Sequence, residues 1–105
     1  MLLIVPGVEI RLATATYLSL LGAAENEDQM ARLRRFVQPF AVLSLGPMAS
    51  SRSVELMLAH TLDSGLSPLD ALIAATTLAH DIPLVACHPA PFAAIAGLQV
   101  VRPYS

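Results

Sequence analysis

Apolar positions in this chain recur with two different periods, and the switches between them outline its elements. Val8–Thr14 (VEIRLAT) alternates apolar and polar residues, the period of a half-buried strand. Thr16–Ala24 turns to helical spacing through Tyr17, Leu20, Leu21 and Ala24. Asn26-Glu-Asp-Gln29 resembles a capping box and opens a helix that ends before Pro39. Its spacing puts Met30, Leu33 and Val37 inside and Arg32, Arg34 and Arg35 outside. Ala41–Leu45 (AVLSL) is an uncharged strand, expected to be buried on both faces. Pro47 fits the first turn of a helix that carries Val54, Met57, Leu58, Thr61 and Leu62 on one side and stops at Gly65. Ser67-Pro-Leu-Asp70 is a strong start, with a Ser N-cap, Pro at the first helical position and an acid at the third. That helix runs to about Asp81, before Pro83. Leu84–Cys87 is a second uncharged buried strand, Pro91–Ala96 one helical turn, and Leu98–Arg102 a last strand.

Strands alternating with helices predict an α/β domain with a short, mostly parallel sheet, and helices on both faces give a three-layer α/β/α arrangement. The 105 residues suffice for one such domain, spanning 1–105. Sites in such sheets form beyond the carboxyl ends of the strands, which singles out the 87–92 loop and the start of the Ser67 helix.

Composition narrows the function classes. Hydrophobic residues make up 55% of the chain and charged residues 13%, against roughly 25% charged in typical soluble domains. This excludes disorder, which needs low hydrophobicity and high net charge. The net charge is −2 and there is no Lys, which excludes a basic nucleic-acid arm. A surface so poor in charge is expected to be partly covered by a partner or a second copy. Cys87 is the lone cysteine, so no internal disulfide forms. The start of the chain lacks the basic region of a secretory signal, and the charge-free stretch Ile82–Val101 is broken by Pro83, Pro89 and Pro91. A cytoplasmic protein that does not enter the membrane is the expectation.

One segment carries a family resemblance. Leu66–Phe92, with Asp70-Ala-Leu-Ile-Ala-Ala-Thr76 and Pro83-Leu-Val85, resembles the C-terminal half of PIN-domain proteins, and of VapC-type toxins of bacterial toxin–antitoxin pairs in particular. Glu9–Gly22 is similar to that family's second strand and following helix, which usually reads S-x-x-T-x-x-E-L-L-x-G, and Gly97–Val101 to its last strand. The resemblance implies a metal-dependent ribonuclease fold in which several carboxylates hold Mg²⁺ or Mn²⁺ against a phosphodiester. It assigns Asp70 the role of catalytic residue and metal ligand. It also implies an antitoxin-type protein partner.

The other acids of the set are replaced. Counting from Thr16, Ser19 stands where the family has Glu; His88 stands where Asn is usual, and Pro91 where Asp or His is usual. If Leu3–Val8 is a relic of the family's L-I-D-T-N-V opening, Val5 takes the place of the first acid; otherwise that strand and its helix are missing. The expected function is therefore that of a degenerate VapC-like protein without ribonuclease activity, a binding or dimerising module. The alternative is an active ribonuclease whose site is completed by a second subunit or by Glu9 or Asp63. Asp70 has a structural role available as well, as an acid in the first helical turn. Cys87 and His88 could pair with His60 or His80 around a metal, although no zinc-site spacing is present, or be a strand-end Cys and a loop His. The three arginines either touch RNA phosphates or form a solvated face paired with Glu25, Glu27 and Asp28. The alanines 71, 74 and 75 and those of 93–96 serve either assembly or tight helix–sheet packing. A homodimer is expected, because a lost strand–helix unit would bare part of the sheet.

Overall fold

The computed structural model describes residues 2–5, 9–86 and 89–101. In chain order the elements are β1 (Leu2–Val5), β2 (Glu9–Ala13), α1 (Thr14–Gly22), α2 (Glu27–Val37), β3 (Ala41–Leu43), α3 (Pro47–Ser64), α4 (Pro68–Ala79), β4 (Leu84–Val85), a 3-10 turn (Ala90–Phe92) and β5 (Val100–Val101). The class is α/β, with a five-stranded sheet in the order β3-β2-β1-β4-β5.

β2 and β3 are parallel, as are β4 and β5, while β1 is antiparallel to both its neighbours. Four strands thus share one direction and β1 alone opposes them. The cause is the length of its connection. Only residues 6–8 separate β1 from β2, and a parallel neighbour needs a crossover of about a dozen residues. The first strand–helix unit is accordingly reduced to a strand.

α4 holds the centre of the packing. Ala71, Ile73, Ala74, Ala75, Thr76 and Thr77 are buried, so the helix is covered nearly all round. It packs against α3, α1, β2 and the 3-10 turn. Its end is a Schellman motif: Ile82 N–H donates to the Thr77 carbonyl and Asp81 N–H to that of Leu78. Asp81 takes the left-handed position, at φ 53°, that glycine usually fills.

Three expectations change. β3 is the edge of the sheet, so Ala41 and Val42 are exposed and only Leu43 is buried. The inner face of α3 is Ala49, Ser53 and Leu56, small enough for α4 to approach closely. Its other apolar side faces water, with Val54, Leu58 and Leu62 exposed to 59%, 83% and 96%. Of the inner residues predicted for α2, Val37 is buried, Leu33 is half-buried and Met30 is exposed. α2 touches little beyond α1, so it has no surface against which to bury a full stripe. Among the described residues no helix is long and apolar enough to cross a membrane.

Candidate functional site

The parallel strands deliver two helices to their carboxyl edge. β2 runs directly into α1, and the Thr14 hydroxyl donates to the Leu43 carbonyl at 2.7 Å, tying that junction to the end of β3. α4 leads through a tight turn to the amino end of β4, so its own N-terminus, with Asp70, points to the opposite, carboxyl edge.

Ser67 caps α4 as expected: its backbone is extended, and its hydroxyl accepts the Asp70 N–H at 3.1 Å. The reciprocal arm of a capping box is not made. Asp70 is half-buried, and its carboxylate has no hydrogen bond or ion pair among the described residues. Its position in the first turn favours the helix dipole whatever else it does.

The rest of the Asp70–Thr76 segment is packing. Ala71, Ala74 and Ala75 are each 0% exposed, which assigns these alanines to tight internal contact rather than to an assembly face. Thr76 and Thr77 are equally buried, and each hydroxyl donates to the carbonyl four residues earlier, at 2.8 Å. Burial of these two polar groups is thereby compensated. By contrast Ala93, Ala94 and Ala96 are exposed.

The remaining candidates scatter. Ser19 is exposed on α1, Pro91 half-buried in the 3-10 turn, and Asp63 exposed at the end of α3. His60 is half-buried on α3 and His80 exposed at the cap of α4. Val5 ends a strand of opposite direction and pairs with Glu9 at the start of β2, so it lies at the amino edge, away from Asp70. Cys87 and His88, and the side chains of Val5 and Glu9, lie outside the described residues. Among the described residues no three His, Cys, Asp or Glu side chains are grouped to hold a metal ion. Magnesium and manganese want several hard oxygen ligands, so the described residues do not fit either ion.

Two features escaped sequence reasoning. The Thr16 hydroxyl, on the first turn of α1, is buried without a hydrogen-bond partner among the described residues. Its place in the T-x-x-E-like stretch was the available signal. The second is that Arg32, Arg34 and Arg35, exposed as expected, make no ion pair among the described residues, not even between Asp28 and Arg32 at helical spacing. Arg34 and Arg35 instead line a cleft between α1, α2 and β3.

Comparison with known proteins places this geometry. A family model for the PIN domain matches residues 8–98. A chain of a toxin–antitoxin complex from Klebsiella pneumoniae superposes with a TM-score of 0.72 at 27% identity, over 90% of this chain and 74% of that one. A chain of VapBC2 from Rickettsia felis, bound to a fragment of its promoter DNA, has a TM-score of 0.72 at 16% identity, covering 88% and 73%. One of VapBC-5 from Mycobacterium tuberculosis has 0.69 at 20% identity, covering 88% and 80%. No curated protein matches the sequence significantly. With its α4 motif, its sheet and a family model matched over most of its length, the chain belongs to the PIN-domain family and is VapC-like in fold.

Proposed function

We propose that this is a degenerate VapC-like PIN-domain protein that binds protein partners and does not cleave RNA. PIN-domain proteins are generally metal-dependent, and the chemistry needs acids converging at one edge of the sheet. The observation that carries the proposal is the direction of β1. Its end, Val5, lies at the edge opposite the Asp70 helix start, so an acid there could not join Asp70. Ser19 and Pro91, at two further acid positions of the family resemblance, supply no carboxylate.

The test is cleavage of a structured RNA by the purified protein with Mg²⁺ or Mn²⁺. The expected rate equals that of the metal-free sample and of Asp70→Ala. Metal-dependent cleavage that Asp70→Ala abolishes would overturn the proposal in favour of an active ribonuclease whose site is completed by other acids.

The partner side rests on the solved relatives, which come from toxin–antitoxin complexes, and on the surface of α3. An antitoxin-type protein is one partner, a second copy of the chain the other. Val54, Leu58 and Leu62 recur every four residues on the solvent side of α3, an apolar stripe of the kind that marks association. Sedimentation at micromolar concentration is expected to give a dimer, and Leu58→Glu a monomer. A wild-type monomer removes the dimer from this scheme.

A further inference from the structure

We propose that the cleft between α1, the C-terminal half of α2 and the edge strand β3 docks an extended acidic segment of a partner protein. The inference rests on the binding-module reading and names the chemistry of one partner segment.

The cleft has a volume of about 530 Å³. Arg34 and Arg35 line it on one side, and Val37, Phe40 and Val42 line its apolar part. Each guanidinium carries five donors in a planar fork that matches a carboxylate, and neither is engaged by an acid among the described residues. In the last turn of α2 they offset the helix dipole, but that role needs no cleft beside them. Phe36 is exposed to 59% and stacks edge-on against Phe40, centroids 5.6 Å apart, which keeps an aromatic surface open next to the arginines. β3 is the edge of the sheet, with β2 as its strand neighbour. An edge strand can take up an extended chain by main-chain pairing, with alternate side chains entering neighbouring pockets. A segment alternating acidic and apolar residues would therefore put carboxylates on Arg34 and Arg35 and apolar side chains against Val37, Phe40 and Val42.

Charge favours a peptide over a nucleic acid. The chain is net negative and lacks Lys, and Glu25, Glu27 and Asp28 are exposed at the other end of the α2 region. A polynucleotide running along the helix would meet them, whereas a short segment need not.

The experiment is fluorescence anisotropy of the full chain with three labelled probes: a peptide alternating Glu and Val, one alternating Lys and Val, and oligouridylate. The Glu–Val peptide alone should bind, more weakly at higher salt. Joint replacement Arg34→Glu and Arg35→Glu should weaken it about tenfold or more. Glutamate in the last helical turn can weaken the fold, so Arg34→Gln with Arg35→Gln is measured beside it and should show the same loss with an unchanged far-UV spectrum. No binding, or binding that both double variants retain, overturns the proposal. Oligouridylate binding that depends on the two arginines overturns it in favour of a nucleic-acid surface. Each of these leaves the cleavage result untouched, whereas metal-dependent RNA cleavage would sink the binding-module reading and leave the peptide result standing.

Discussion

Phe92→Ala is expected to lower stability by about 3–5 kcal/mol, a large share of the roughly 5–15 kcal/mol that holds a domain of this size. Phe92 is 1% exposed and is the largest fully buried side chain among the described residues. It joins the core cluster from the 3-10 turn, an element that packs on α4 and has little other structure to hold it. Truncation costs the transfer energy of the ring and leaves a cavity whose size depends on how far the neighbours collapse. Collapse is limited here, because α4 contributes Ala71, Ala74 and Ala75 to the same cluster, and alanine has no rotamer with which to fill a hole. Urea unfolding followed by circular dichroism should show the midpoint falling by roughly 2–3 M, with the slope unchanged. Phe92→Leu should cost far less. A drop below half the expected size for the alanine variant would mean that the 3-10 turn repacks.

Thr16→Val is expected to act in the opposite direction, raising stability by about 1–2 kcal/mol. The Thr16 residue is 3% exposed and its hydroxyl has no partner among the described residues. Valine keeps the shape and the β-branch and has a similar helix propensity, so the exchange removes little besides an uncompensated desolvation. Thr77→Val is the control: that hydroxyl already donates to the Ile73 carbonyl, so no such gain is expected. In thermal unfolding, each kcal/mol corresponds to about 4–8 °C for a domain of this length. A lower melting temperature for Thr16→Val would show that the hydroxyl is satisfied by bound water. An orphaned polar group is a cost that functional sites tolerate and packing alone does not require. Thr16 lies three residues before Ser19, the position at which the family resemblance expects Glu. If the acid site is lost, as proposed, the hydroxyl serves no ion or substrate there, and its removal brings the stability gain alone.

Much of the fold was legible because its signals are local. Asn26 and Ser67 cap the helices they precede by accepting the Gln29 and Asp70 N–H groups. Pro47 and Pro68 stand in first turns, and Gly65 closes α3 in the left-handed conformation, φ 66°. Each device acts within four residues, so it is written in adjacent letters. The same holds for β4, whose uncharged Leu84 and Val85 are buried as expected. The family was legible for a related reason: the Asp70–Thr76 run is a packing code for a central helix, and its small residues sit at a fixed spacing.

What the letters left open concerns partners far away in the chain. Ala41–Leu43 and Leu84–Val85 are equally uncharged, yet one strand is an edge and the other is covered, because burial depends on neighbours in the sheet order. α3 has two faces able to pack, and the smaller side chains won because α4 can come closer to them. The pairing of Arg32, Arg34 and Arg35 with nearby acids was a matter of side-chain geometry that composition does not decide; the tertiary structure leaves all three without an ion pair among the described residues and puts Arg34 and Arg35 beside a cleft. For the candidate site, the sequence by itself determined that one carboxylate, Asp70, opens α4 and that Ser19 and Pro91 stand at two other positions to which the family resemblance points. Only the tertiary structure decided that β1 runs against its neighbours and ends at the far edge from Asp70, since strand direction follows from a connection too short to cross over.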